Sequence, residues 1–370
     1  MKYLWDNFAF SLLFTLAALI LAGWLGFSNG GLWAGAASMV FLAAVLGVME
    51  TSLSLDNAVV NASVLKDMDE VWQRRFLTWG ILIAVFGMRI VFPVLIVAFA
   101  AWVSPWEALT IAINDREGYQ RTVESAHIGI SGFGGVFLLL VGLNFFFDQD
   151  REHLWISPIE KPLAWLDKIP FAPYFFTALA LGGLCLLVEG ADRTTFLIAG
   201  FSGMATFFAV EMIGHMLDGD VDEKTGQVAR SGAGGFIYLE FLDASFSFDG
   251  VIGAFAITND ILLIALGLGI GAMFVRSMTI ALVKGGTLTQ FRFLEAGAFY
   301  AIIALASIML ASIRFHVPEV ITGLLGATII GIALWHSIRH KTRFPLEYAE
   351  NGETAPKLPA GDQAKEVLTQ

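Results

Sequence analysis

The sequence predicts an all-α fold: a polytopic transmembrane helical bundle of about ten spans, arranged as an inverted-topology repeat. Three observations lead there. Of 370 residues, 56% are hydrophobic and 15% charged, with a mean hydropathy of +0.71; soluble domains carry about 25% charged residues. Basic residues gather on alternate sides of the apolar runs. Finally, one cassette occurs twice, as ETSLSLDN at 50–57 and DASFSFDG at 243–250, both inside apolar stretches.

The apolar spans run over 8–27, 34–58, 77–103, 128–147, 173–190, 194–217, 234–257, 261–283, 294–313 and 318–338. Most approach the ~20 residues that a helix needs to cross a bilayer. The first follows Lys2 as a secretory leader does, but Ser28-Asn29-Gly30-Gly31 stands where a small-residue cleavage site belongs, so it reads as a retained helix. The fifth and sixth spans are divided only by Asp192-Arg193. The chain thus divides into an N-terminal helix (1–33), a first three-span repeat (34–147), a linking region with two spans (148–232), a second, inverted repeat with the last span (233–338), and a disordered cytoplasmic tail (339–370).

Basic residues orient the bundle. With the RHKTR stretch at 339–343 placed in the cytoplasm, cytoplasmic segments hold 16 of the 22 Lys and Arg. The opposite side holds Arg116, Arg121, Arg193 and Arg314, and Arg89 and Arg276 fall inside spans. Both termini are then cytoplasmic. The cassettes lie five spans apart, so their helices run in opposite directions, as in transporters that alternate access about a midplane site. Gly87-Met88-Arg89 and Phe274-Val275-Arg276 extend the match loosely into the next span of each copy.

A charge at mid-bilayer costs roughly 2.5–3.5 kcal/mol on insertion scales, so four cassette acids would cost on the order of 10 kcal/mol uncompensated. A cation is the obvious partner. At about 100° per residue, Glu50, Ser54, Asn57 and Asn61 form one polar stripe. Asp243, Ser247 and Gly250 repeat it, with Glu240 upstream. Asp56 and Asp249 sit off the stripe. In regular helices they face a neighbour; if the helices unwind near Ser54 and Ser247, all the acids converge, and Gly250 and Gly253 favour unwinding in the second copy. The donors are all oxygen, which suits Mg²⁺, Ca²⁺ or Mn²⁺ over Cu(I) or Zn²⁺. Ion release needs an offset: protonation of one acid, which couples export to inward proton flow, or a swing of Arg89 or Arg276.

Other polar groups have plainer readings. Met49 and the single cysteine, Cys185, read as core. Glu211 and His215 read as a solvated helix end before a proton relay, Glu189 and Asp192 as partners of Arg193 before an exit path, and Glu295 as a helix N-terminal carboxylate. The DGDVDEKTG loop at 218–226 has Ala229 where a calcium loop needs its bidentate Glu, and reads as solvated.

The chain resembles the TerC family of integral membrane proteins, within the LysE-type transporter grouping, over roughly 45–310. Glu50, Ser54-Leu55-Asp56-Asn57, Gln73-Arg74 and Met88-Arg89 match its first signature; Glu240, Asp243, Asp249-Gly250 and AITND at 256–260 match its second. Gly250 stands where Ser is common. The chain also looks like the longer DUF475-type subgroup, with extra spans in the middle. The resemblance implies export of a divalent cation as substrate, manganese foremost, across the bacterial inner (plasma) membrane, with Glu50, Asp56, Asn57, Glu240, Asp243 and Asp249 as ligands and Ser54, Ser247, Arg89 and Arg276 in support. No permanently bound cofactor is implied. The expected partners are the metal ion and the lipid bilayer, with an oligomer open. The net charge of −11 argues against nucleic acid, and no Ser/His/Asp or HExxH arrangement points to an enzyme. Two alternatives stay open: an exporter of an amino acid or other small solute, which needs a roomier, less acidic pocket, and a membrane scaffold in an envelope or metal (tellurium) stress complex, in which the cassettes are dispensable.

Overall fold

The structure, a computed structural model, describes residues 2–28, 33–100, 103–149, 151, 153–218, 232–315 and 317–344. The expected tail beyond 344 and the acidic loop from 219 lie outside the described residues, as does the Asp249 side chain. The regular elements among the described residues are all helices, without a strand. In chain order the helices are α1 (Lys2–Ser28), α2 (Trp33–Leu53), α3 (Leu55–Leu65), α4 (Glu70–Leu82), a π-helical segment (Ile83–Val91), α5 (Phe92–Ala100), α6 (Pro105–Asn114), α7 (Arg116–Ser125), α8 (His127–Phe147), α9 (Ser157–Trp165), α10 (Ala172–Cys185), α11 (Gly190–Asp218), α12 (Ala233–Ile257), α13 (Ile261–Lys284), α14 (Thr287–Gln290), α15 (Leu294–Ala311) and α16 (Glu319–Arg343).

Each of the ten expected spans coincides with one of these helices or with a broken pair. Among the described residues, seven helices are long and apolar enough to cross a membrane, and nine if two bent pairs each count as one span. The first pair, α4 with the segment after it, bends by 41°; the second, α9 with α10, bends by 111°. α12 is 25 residues long but carries Glu240, Asp243 and Asp249, which keep it below that apolar standard. α10 has only 14 residues, about 21 Å at 1.5 Å per residue, short of a ~30 Å hydrocarbon core. The sequence boundary at Asp192-Arg193 is misplaced. The chain turns at Gly190, whose φ of 63° suits glycine, and Asp192 and Arg193 are already in α11.

Burial sorts the helices into an inner group and a lipid-facing group. α8, α13 and α15 are buried over 67%, 78% and 61% of their most apolar windows, whereas α1 and α11 reach 17% and 28%. The outer helices turn Phe10, Leu13, Ile20, Trp24, Ile198 and Phe201 outward, a surface that would aggregate in water but suits lipid tails. The inner helices meet through a core containing Val59, Phe137, Leu140, Leu242, Ile302 and Met309. Phe145 of α8 stacks on Phe299 of α15 with ring centroids 3.8 Å apart. The link between α5 and α8 forms two short helices, α6 and α7, to which the sequence pattern assigns no structure. Tyr119 of α7 is buried against Phe255 near the end of α12.

The two halves cross-pack. α2, bearing the first cassette, lies along α13; α12, bearing the second, lies against α4 and the π-helical segment. Aligning the cassettes so that 50 corresponds to 243 and 57 to 250 carries one contact set into the other. Glycine permits the α2–α13 approach: a Cβ on Gly267 would run into Leu46 and come within 3.2 Å of the Ala43 carbonyl. Overpacking of this kind typically costs about 1–3 kcal/mol. Gly267→Val should therefore lower the thermal unfolding midpoint in detergent by several degrees. Gly331→Ala should leave it unchanged, because a Cβ there meets nothing within 4 Å.

Candidate functional site

The site forms where the cassette helices cross. α2 ends at Leu53, and Ser54 adopts φ −101° and ψ 22°, outside the helical range, before α3 begins at Leu55. The interruption spans a single residue, since Ser54 N–H still donates to the Glu50 carbonyl at 3.0 Å. The unwinding expected near Ser54 thus occurs in its smallest form. Its counterpart does not: α12 runs unbroken through Ser247, Gly250 and Gly253. The break re-aims Asp56, whose carboxylate sits at the start of α3 and accepts the Asn57 backbone N–H at 2.9 Å. A helix N-terminus favours a negative charge there.

Glu50 is 2% exposed and pairs with the equally buried Arg89, Nη2 to Oε1 at 2.5 Å. Ser54 Oγ donates to the same oxygen over a long 3.4 Å. Arg89 lies in the π-helical segment, whose wider turn lets its Nη1 donate back to the Ala84 carbonyl at 3.0 Å. Such bulges recur at functional sites. Across the repeat boundary, Asn57 Nδ2 donates to Asp243 Oδ1 at 2.7 Å. Under the cassette alignment the mirror contact is Gly250 with Glu50. A Cβ on Gly250 would collide with Glu50 Oε2. Glycine, in place of the Ser common in the resembling family, leaves room for the Glu50 carboxylate and offers it no hydroxyl.

The second arginine is held differently. Arg276 Nη2 donates to the Phe76 carbonyl at 2.5 Å, and the guanidinium lies 3.7 Å from the Phe76 ring centroid. Glu240 stands 4.0 Å away, and neither of its carboxyl oxygens has a hydrogen-bond partner among the described residues. Gly80 makes this possible, because a Cβ there would strike the Arg276 guanidinium and come within 2.7 Å of Glu240 Oε1. Ser247 is buried, and its hydroxyl has no hydrogen-bond partner among the described residues.

These residues do not share one cavity, as convergence of all the acids would require. A cavity of about 20 Å³ is lined by Glu50, Ser54, Asp56 and Gly250, with Ala301 of α15 and Thr322, Gly323 and Gly326 of α16. A second, of about 10 Å³, is lined by Asn57, Asn61, Asp243, Arg89 and Arg276. Glu240 lines neither. The division segregates charge. Two carboxylates and no cation line the larger cavity; two guanidiniums and one carboxylate line the smaller. No group of three His, Cys, Asp or Glu side chains placed to hold a metal occurs among the described residues. The wall from α15 and α16 is not apparent from the sequence, whose pattern places the last span outside the repeat; its only sequence signal is the Gly323, Gly326 spacing.

Several groups outside the site take definite roles. Glu211 is an interhelical anchor, a correction to its reading as a solvated end: it accepts Asn144 Nδ2 of α8 at 3.1 Å and the Tyr174 hydroxyl of α10 at 2.8 Å. Glu295 pairs with Lys66 at 3.1 Å. Glu189, Asp192 and His215 are exposed, and Cys185 is buried as expected. Sequence reasoning misses Glu160, fully buried in the link, which accepts Arg151 Nη1 at 2.9 Å, the Ile156 N–H at 2.8 Å and the Tyr300 hydroxyl at 3.2 Å.

The family profile described as "Protein of unknown function (DUF475)" matches residues 55–344, and the chain belongs to that family. No curated protein and no solved structure matches it.

The Glu50–Arg89 pair makes a direct prediction. Removing one partner of a buried ion pair typically costs about 3–5 kcal/mol, whereas replacing both with neutral groups is far less costly. Arg89→Met should lower the unfolding midpoint strongly, and adding Glu50→Gln should recover most of the loss. A double variant no better than Arg89→Met alone would show that the pair is not the interaction at stake.

Proposed function

We propose that this member of the DUF475 family is a TerC-like exporter of divalent metal cations, manganese foremost, in the bacterial inner membrane with both termini cytoplasmic. The observation that carries the reading is the larger cavity: two buried carboxylates, Glu50 and Asp56, beside a broken helix, in a space of about 20 Å³. That volume takes a water or a partly dehydrated ion. A carrier of amino acids needs a pocket nearer the ~300–1,000 Å³ of small-molecule sites. Carboxylates, the Ser54 hydroxyl and backbone carbonyls at the break are hard oxygen donors suited to Mn²⁺, Mg²⁺ or Ca²⁺. Two carboxylates short of a full cage suit a transporter, which must bind its ion weakly enough to let it go.

The cation competes with Arg89 for Glu50. On arrival at Glu50 and Asp56 it displaces the guanidinium, which turns toward Asp243 on the wall of the smaller cavity. On departure Arg89 returns and neutralises Glu50. Glu50 is thus never buried without a positive partner, and the two charge states differ by one ion in the site. Protonation of one acid as the ion leaves would serve the same end and couple export to proton entry.

Manganese efflux from loaded proteoliposomes tests the reading at matched protein levels. Glu50→Gln, Asp56→Asn and Asp249→Asn should each slow efflux about tenfold or more, while Glu211→Gln, outside both cavities, should stay near the wild-type rate. Wild-type efflux in the Glu50→Gln, Asp56→Asn double variant would remove the cassettes from the transport path and favour the scaffold reading.

A further inference from the structure

We infer that the smaller cavity is the binding site of a single ordered water that joins the two arginines across the repeat boundary. Four of its lining residues, Asn57, Asn61, Arg89 and Arg276, are between 2% and 5% exposed. Each carries a polar atom with no hydrogen-bond partner among the described residues: Asn57 Oδ1, Asn61 Oδ1, Arg89 Nε and Arg276 Nε. Their roles are fixed by chemistry and by their neighbours. A guanidinium Nε–H can only donate. Asn57 Nδ2 is committed to Asp243 at 2.7 Å, so its Oδ1 is the free acceptor. The remaining nitrogens of the arginines that have partners point elsewhere, Arg89 to Ala84 and Glu50, Arg276 to Phe76.

Two donors and two acceptors around one small space are what a water molecule satisfies, by accepting from both Nε–H groups and donating to both amide oxygens. The size agrees: the cavity measures about 10 Å³, close to the ~10–15 Å³ that one water requires. The alternatives fail on charge or volume. A divalent cation would face two guanidiniums. A halide or larger anion would need more room and would face Asp243 and the two amide oxygens. Left unpaired, each of the four buried polar atoms would bear the full cost of leaving water. Asn57, Asn61 and Arg89 belong to the first repeat and Arg276 to the second, so the water is shared by both.

The test does not depend on transport. The full-length protein, purified in detergent with a chelator present, is imaged at a resolution that resolves ordered water. The expected result is one density peak within hydrogen-bond distance of all four atoms. A dry cavity, or a peak at metal–oxygen distance from the amide oxygens, would overturn the inference. So would a peak whose anomalous signal appears after bromide exchange, which would identify an anion. In Asn61→Leu the peak should vanish while the Glu50–Arg89 pair persists; a peak that survives there would show that Asn61 does not hold it. If that variant does not fold, the wild-type map decides.

Discussion

A carboxylate inside a bilayer needs a positive partner, and the inner helices of this protein place one within reach of Glu50 and of Glu240. Glu50 has Arg89, and Glu240 has Arg276 close by. Both arginines are anchored before they meet an acid, one by the Ala84 carbonyl and the other by the carbonyl and ring of Phe76. Anchoring matters because a guanidinium has several donors and a long stem. Left unfixed, it would lose rotamer entropy on pairing; fixed, it presents its fork in one direction. Several irregularities of the chain bring these groups together: the break at Ser54, the wide turn around Arg89, and the glycines at 80 and 250.

The same need explains the segregation of charge into two cavities. In a low-dielectric interior an uncompensated charge is felt over long distances, so the proposed cation site and a pair of guanidiniums could not share one space. The Glu50–Arg89 contact stands between them, with Glu50 on the wall of the larger cavity and Arg89 on that of the smaller. A displacement in one cavity is therefore felt in the other through one short contact, without any need for a long pathway of packed side chains.

Much of this is legible in the sequence. The spans are visible because an apolar run near 20 residues is long enough to cross a bilayer and seldom occurs elsewhere, and the cassettes because acids in such runs are costly. The helical stripe places Glu50, Ser54, Asn57 and Asn61 on one face, and the structure buries all four. The one-residue break at Ser54 is one of the two outcomes that the spacing allows. The unbroken helix at Ser247 runs against expectation, because Gly250 and Gly253 read as breakers when Gly250 instead makes room for Glu50. The wall from α15 and α16 and the Glu160 knot are hidden for a different reason. Both depend on contacts between distant segments that no local periodicity encodes, and Glu160 sits in a polar link with the composition of a solvated connection.

The break on one side and the unbroken helix on the other have a kinetic meaning. Two identical halves would give inward-open and outward-open forms of equal energy, each occupied half the time. Here the halves differ: α2 and α3 already have a joint at Ser54, whereas α12 would have to make one. In the transport cycle proposed above, the two forms would therefore differ in free energy, and the resting protein would stand mostly open to one face. Such a bias would leave the direction of net flow to the gradients. It would decide which face meets the ion from a waiting site, and which half of the cycle is the slower.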